Sequence, residues 1–315
     1  MISQAQIDRL NSLVRRVTPI AWEYTDRGVD ARALMNMFCQ TVPSGNQKIV
    51  TLQWGMVFPE LKEWVDQRQR QKVFGEDLTV RTKRYEMTFD YNLDEIEDDD
   101  ALIQLTQVSQ ALGTAAPSEV LFEALRPLRL NKVCYDGADF FSTSHLRLDR
   151  ENETFSNLVE ASWVGAKPTL DEARSSLDAA KIRLLTNRLS KRKIVEAASL
   201  NKDLLVVTSD LGVFEIFNRL LNDTELPGGV ANDLKGTFRL FYDEAEYSGP
   251  EQLFDVYLGG AGDPRPVIFT LRKELKMAAD TSKAFDTGMA AIGMDGRFGS
   301  TCGFPQAGVR VTPED

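Results

Sequence analysis

Residues 94–125 read DEIEDDDALIQLTQVSQALGTAAPSEVLFEAL, an acidic run followed by apolar residues at helical spacing. Acidic side chains before a helix satisfy its free N–H groups and favour the positive end of its dipole. The stretch therefore predicts one long helix over about residues 98–128, which bends or restarts at Pro117. At about 1.5 Å of rise per residue this helix extends ~40 Å, which is long for a small domain. A metal site built from the same carboxylates is the alternative interpretation.

The segment before this helix predicts two long extended elements joined by a tight turn. Residues 62–72 are almost entirely polar, residues 74–77 carry a turn signal, and residues 78–91 alternate in character. Residues 62–84 contain seven basic side chains and four acidic ones. A locally basic projection on an acidic protein favours contact with another molecule, whereas a solvated hairpin is the alternative.

The other segments alternate between helical and strand patterns, which is typical of an α+β fold. Thr169 and Glu172 have the spacing of a capping box, which predicts a second helix behind them. The expected buried face of that helix consists of Leu170, Ala173, Leu177, Ala180 and Leu184. Further predicted helices cover residues 4–17, 31–38 and 211–221. Predicted strands cover residues 48–55, 204–208, 237–242, 254–258, 267–277, 284–294 and 308–311.

Composition restricts the partners. The chain has 315 residues, with 37 lysines and arginines against 47 aspartates and glutamates, so its net charge is −10. An evenly acidic chain is repelled by DNA and by anionic lipid, so we expect its partners to be proteins, or that it has none. No apolar run approaches the roughly 18 residues of a membrane span, and the N-terminal residues lack a signal-peptide core. We therefore expect a soluble protein made in the cytoplasm.

Catalytic and metal-binding arrangements are poorly represented. The three cysteines are widely spaced and odd in number, which favours reduced thiols in a reducing compartment over a disulfide framework. Cys134 and His145, the only histidine, are the nearest approach to a nucleophile and its base, and they lack a third positioned group. The glycine-rich residues 259–263 lack the ending of a phosphate-binding loop. The sequence thus predicts no catalytic, cofactor-binding or metal-binding residues, no cofactor and no enzyme activity, with a hydrolase using Cys134 and His145 as a remote alternative.

Four motifs of the first half follow one another in a distinctive order: FPELKEWV at 58–65, the acidic run at 94–100, PSE at 117–119, and CYDGADFF at 134–141. In this order they resemble the major head subunit, or T protein, family of phage Mu and Mu-like prophages. Looser similarity continues in LDEA, LLVV, NDLKG and AFDT at 170–173, 204–207, 232–236 and 284–287. The resemblance covers about residues 50–308, apart from residues 188–200, which we do not match to the family.

The resemblance implies the Hong Kong 97-type phage capsid fold, an α+β architecture. Such a subunit has an N-terminal arm, an extended loop, a peripheral domain with a long spine helix, and an axial domain. The implied divisions are 1–55 for the arm and first strand, 56–91 for the extended loop hairpin, 92–168 for the peripheral domain with its spine helix, 169–283 for a mainly axial domain, and 284–315 for return strands to the peripheral domain and a C-terminal tail.

The resemblance also implies a function. A head protein of this family self-assembles into hexamers and pentamers of an icosahedral shell around the double-stranded DNA of a Mu-like phage or prophage. It resides in the virion after synthesis and assembly in the host bacterial cytoplasm. Implied partners are a scaffold or maturation protease, a portal, and a decoration protein as a further candidate, with weak nonspecific contact to DNA and no membrane. The alternative is a nanocompartment shell of the same fold that encloses protein cargo.

The long basic hairpin extends too far to be covered by its own subunit, so we expect it to meet an acidic surface on a neighbour. The candidate contact residues are Trp64, Arg68, Arg70, Lys72, Arg81 and Arg84 on the hairpin, and Asp94, Glu95, Glu97 and Asp98 in the acidic run.

Overall fold

The protein is described by a computed structural model covering residues 31–45, 47–54, 76–92, 101–147, 153–163, 167–187, 203–226, 229–243, 253–260, 264–280 and 289–313, together with Asp8 and Ser12. The helices in these residues are α1 (Ala31–Phe38), α2 (Ala101–Arg129), α3 (Leu170–Thr186) and α4 (Leu211–Asn222), with a short 3-10 helix at Pro305–Ala307. Most of the predicted helix at 4–17 lies outside the described residues, as does the unmatched segment at 188–200.

The described residues contain fifteen strands. They are β1 (Cys39–Pro43), β2 (Ile49–Trp54), β3 (Glu76–Arg81), β4 (Lys83–Asn92), β5 (His145–Leu146), β6 (Thr154–Phe155), β7 (Leu158–Glu160), β8 (Leu204–Thr208), β9 (Glu225–Leu226), β10 (Val230–Ala231), β11 (Phe238–Tyr242), β12 (Phe254–Leu258), β13 (Val267–Asp280), β14 (Met289–Cys302) and β15 (Gly308–Thr312). Predicted strands at 204–208 and 254–258 are confirmed, whereas β14 continues to Cys302, well beyond its predicted end at residue 294.

Helix α2 confirms the predicted long helix. Its 29 residues extend about 43 Å. The sequence predicts that the helix bends or restarts at Pro117. The restart is wrong, because the helix is continuous through this residue. Leu112 and Ala116 are buried before the proline, and Leu121 and Leu125 are buried after it. Packing on both sides offsets the one hydrogen bond that proline removes.

A four-stranded sheet lies against α2, in the order β1-β13-β14-β4. Strand β1 runs parallel to β13, and the other neighbours are antiparallel. Because side chains alternate along a strand, each strand presents one set of residues to the helix and the other set to the opposite face. Met294 and Phe298 are buried on the helix side, where Ser300 Oγ donates to the Glu123 carbonyl of α2 at 2.7 Å. We call the opposite face of this sheet the outer face.

The hairpin prediction needs one correction. Residues 78–91 were expected to form a single arm paired with residues 62–72. Instead, β3 pairs antiparallel with β2, and β4 leaves it to pair with β14. The change of partner occurs at Thr82, where the apolar positions move from even numbers (Leu78 and Val80) to odd numbers (Tyr85 and Met87), so the periodicity marks a break but not the new partner. Residues 55–75 lie outside the described residues.

A second, five-stranded sheet follows the order β11-β8-β12-β15-β7. Strands β8 and β11 are parallel and joined through α4. Strand β8 is buried at all five positions, as its uninterrupted LLVV run requires for a central strand covered on both faces. Helix α3 begins at the predicted capping box, in which Thr169 accepts from the Glu172 amide, and its predicted buried face is confirmed.

Alternate residues of β8 join the two sheets into one core. Leu204 and Val206 pack with α3 and α4, whereas Leu205 and Val207 pack with the C-terminal half of α2 and with β13 and β14. One strand therefore contributes to both hydrophobic clusters, so the interior is continuous between the two sheets.

Candidate inter-subunit surface

Two of the predicted contact residues, Arg81 and Arg84, lie within the described residues. Arg81 ends β3 and belongs to the hairpin base, while Arg84 lies in β4 at the edge of the four-stranded sheet. The other predicted contact residues lie outside the described residues: Trp64, Arg68, Arg70, Lys72, Asp94, Glu95, Glu97 and Asp98.

Thr82 fixes the point at which the hairpin leaves the sheet. Its backbone N–H and its Oγ1 both donate to the Lys48 carbonyl oxygen, at 2.9 and 3.1 Å. Beyond this point Leu78 and Val80 of β3 are buried against Ile268 of β13. The hairpin base thus covers one end of the outer face, and several side chains on the rest of that face are exposed among the described residues.

The uncovered part of the outer face carries charges in rows across the three strands. Strand register places Arg84, Arg297 and Lys273 in one row, which is entirely basic. The next row holds Glu86, Asp295 and Lys276, and the one after it holds the small residues Thr88, Gly293 and Ala278. The last row holds Asp90, Ala291 and Asp280. The face therefore changes from basic beside the hairpin base to acidic at its far end.

Ion pairs join the first two rows. Lys273 Nζ donates to both Asp295 carboxylate oxygens at 2.6 and 2.7 Å, and Arg84 Nε lies 3.4 Å from the same carboxylate. The hydrogen bond from Lys273 is the main cause that holds the pKa of Asp295 below its ordinary value, with the neighbouring positive charges assisting. Asp295 is consequently ionised and neutralised. The side chains of Asp90 and Asp280 in the last row are exposed.

The row of small residues forms a shallow groove of about 200 Å³, because Gly293 has no side chain there and Ala278 has only a methyl group. Charged residues border the groove on both sides, with Glu86 and Asp295 on one and Asp280 on the other. An outer face with opposite charges at its two ends and a groove between them suits a polar, extended segment of another chain.

Cys134 and His145 do not form a nucleophile and base. Both ring nitrogens of His145 are engaged, Nδ1 with the Asp136 carboxylate at 2.7 Å and Nε2 with the Phe140 carbonyl at 2.9 Å. Cys134 instead hydrogen-bonds with Cys302, and this contact together with burial raises the pKa of the Cys134 thiol far above its ordinary value. A thiol held protonated is a poor nucleophile, and the contacts of both residues hold the loop in place.

Two buried ion pairs were not foreseen from the sequence. Arg310 Nε and Nη2 donate to the two oxygens of Asp255 at 2.8 and 2.9 Å, across neighbouring strands β15 and β12. Arg129 Nε, at the end of α2, donates to Asp243 just after β11 at 2.6 Å. The available signal was a lone charged residue within an otherwise apolar strand, as in FDVYL and GVRVT.

No group of three or more His, Cys, Asp or Glu side chains in the described residues is arranged to hold a metal ion. None of the helices in that part of the chain is long and apolar enough to cross a membrane.

Comparison with solved structures places the fold among phage capsids. The chain matches the bacteriophage JBD30 procapsid with a TM-score of 0.51 and 18% identity, covering 100% of this chain and 77% of that one. It matches the mature capsid of bacteriophage PhiM1 with a TM-score of 0.54 and 10% identity, covering 89% and 86%. The capsid of Myoviridae phage XM1 gives 0.54 and 11%, covering 90% and 91%. A search of curated protein sequences finds no match.

These similarities establish the class: the chain has the α+β Hong Kong 97-type fold of phage major capsid proteins. The model of the Mu-like prophage major head subunit gpT family matches residues 17–175, about half of the chain. The chain therefore belongs to that family and is a structural shell protein of the phage virion. A nanocompartment shell, the alternative raised by the sequence, is not favoured by these matches.

Proposed function

We propose that the chain builds an icosahedral head shell around double-stranded DNA, in which the hairpin of one subunit reaches the outer face of its neighbour. The single observation that carries this proposal is the charge gradient of the outer face, because it offers an acidic end that the described part of its own subunit leaves exposed. The segment between β2 and β3 has 21 residues. Running out and back, it reaches at most about 35 Å from its base, far enough to meet a second subunit.

The proposed contact pairs the basic hairpin residues with acidic ones. Arg68, Arg70 and Lys72 would meet an acidic surface formed by Asp90 and Asp280 and continued by Asp94, Glu95, Glu97 and Asp98. Strand β4 ends at Asn92, directly before this acidic run, which supports a single continuous surface. Each exposed ion pair contributes only about 0–1 kcal/mol, but a shell repeats the contact at every subunit. Trp64, Arg81 and Arg84 would border the contact.

The same proposal extends to domain roles and partners. We assign 1–55 to the arm and first strand, 56–91 to the extended loop, 92–168 to the peripheral domain, 169–283 mainly to the axial domain, and 284–315 to the return strands and tail. The shell would assemble in the host cytoplasm with a scaffold or maturation protease, a portal and a decoration protein. Its net charge of −10 supports weak contact with DNA, since a shell that gripped DNA would hinder packaging and ejection. No catalytic role is proposed.

The test is charge reversal of the hairpin, with Arg68→Glu, Arg70→Glu and Lys72→Glu in one variant. We expect the subunit to melt as the parent does, while shell yield falls and becomes more sensitive to salt. The matched control reverses three exposed basic residues outside the hairpin (Lys132, Lys235 and Arg239), which gives the same change in net charge.

A second variant tests the partner surface. Adding Asp90→Lys and Asp280→Lys to the hairpin reversal restores opposite charges, so shell yield recovers in part. An undiminished yield from the hairpin reversal alone would show that the hairpin is only a solvated loop. A lowered subunit melting temperature would instead place those side chains in the fold of their own chain.

A further inference from the structure

Strand β3 lies over the outer face of the four-stranded sheet, where Leu78 and Val80 pack with Ile268. Gly299 of β14 is buried and lies beside Arg81, the last residue of β3. We propose that Gly299 is a positioning residue for assembly. Because Gly299 has no side chain, the backbone of Arg81 and Thr82 at the base of the hairpin can lie against it, and we call this space the seat. This inference rests on the proposed function of the hairpin and names the residue that sets the direction of the hairpin.

The seat is occupied by backbone atoms. A Cβ added at Gly299 would overlap the Arg81 carbonyl oxygen, and it would lie 3.0 Å from the Arg81 carbonyl carbon and 3.3 Å from Thr82 Cα. These atoms cannot rotate away as the end of a side chain does. Thr82 is also tied to the Lys48 carbonyl by two hydrogen bonds, so both chains of the hairpin base would have to move together.

The neighbouring side chains show that the seat is tightly closed. Thr270 is paired with Gly299 across β13 and β14, so its side chain lies on the same face. It is 0% exposed, and its hydroxyl has no hydrogen-bond partner in the described part of the chain. Two residues earlier on the same face, Ile268 packs against β3.

Another glycine of the same strand provides a matched control. A Cβ at Gly296 would meet the side chain of Leu275, at 3.0 Å from Cδ2, on the side of the sheet that faces α2. The end of a leucine side chain can shift, and the hairpin base is not involved. Gly296→Ala therefore makes the same chemical change in β14 without disturbing the seat.

The experiment measures the hairpin angle in the unassembled subunit. Spin labels are attached at Thr79→Cys in β3 and Lys276→Cys in β13, both of which are exposed, whereas the three native cysteines are buried. We expect Gly299→Ala to shift and broaden the distance distribution between the labels, and Gly296→Ala to leave it unchanged. In unlabelled protein, Gly299→Ala should lower shell yield several-fold relative to Gly296→Ala.

A second variant, which adds no bulk, tests the inference even if Gly299→Ala does not fold. Thr82→Val removes the Oγ1 bond to Lys48 without adding bulk, so it should broaden the label distances, and Thr82→Ser should retain the parent distribution. Unchanged distances in both Gly299→Ala and Thr82→Val would overturn the inference, whether or not shells form. Failure of the parent chain to assemble would count against the proposed function alone, since the label distances test the seat independently.

Discussion

Removal of one partner from the buried Arg310–Asp255 pair should destabilise the subunit strongly. Both side chains are at most 4% exposed, and the carboxylate also accepts a hydrogen bond from the Tyr257 hydroxyl at 2.9 Å. Arg310→Met removes two charge-assisted bonds and the contact of the guanidinium with the Phe141 ring, 3.9 Å away. The remaining Asp255 carboxylate is then buried without a positive partner, which costs about 3–5 kcal/mol.

The assay is equilibrium urea unfolding of dilute, unassembled subunit, with the midpoint and slope fitted together. The double variant Arg310→Met with Asp255→Leu removes both charges, so we expect it to recover much of the lost stability. Tyr257 loses its acceptor in that variant, which prevents complete recovery. If the double variant is as unstable as Arg310→Met alone, the loss arises from packing and not from an unpaired buried charge. Unchanged stability of the single variant would refute the burial of the pair.

Two further predictions concern the core and the effect of acid. Leu121→Ala and Leu205→Ala should each lower the free energy of unfolding in urea by about 2–5 kcal/mol, because both side chains are buried in the same hydrophobic cluster. If both variants have the midpoint of the parent, the core lies elsewhere. Burial alone raises the pKa of Asp136, but the hydrogen bond and charge of His145 outweigh it and hold this pKa below the ordinary value. The stability that ionised Asp136 contributes is therefore present at neutral pH and lost as the pH falls below about 4. Asp136→Asn should be less stable than the parent at pH 7. In melting experiments at decreasing pH, this variant should lose less stability than the parent. An equal loss in both proteins would contradict this.

The predictable parts of the fold rest on local signals. The capping box at Thr169 and Glu172 forms within four residues, and the apolar spacing of 101–129 marks a helix whatever it packs against. Strand β8 is similarly evident, because a run of four large apolar residues suits a strand that is buried on both faces.

The unpredictable parts depend on residues distant in sequence. The apolar spacing marks a division at Thr82, but the strands with which its two halves pair are β2 and β14, and β14 lies more than 200 residues away. The charge rows of the outer face need the register of three strands, two of which follow the first by about 180 residues or more. Composition did predict a basic hairpin and an acidic target, but the register determines which acidic residues share a row.

Electron microscopy of the purified parent chain, with scaffold added where assembly needs it, tests directly whether the subunit forms a head shell. Extended segments that one subunit cannot cover require neighbours, so the images should contain hexamers and pentamers, tubes or closed shells. Light scattering on the same samples should rise with protein concentration at moderate salt. Particles that remain monomeric at high concentration, even with scaffold present, would contradict a shell-forming subunit.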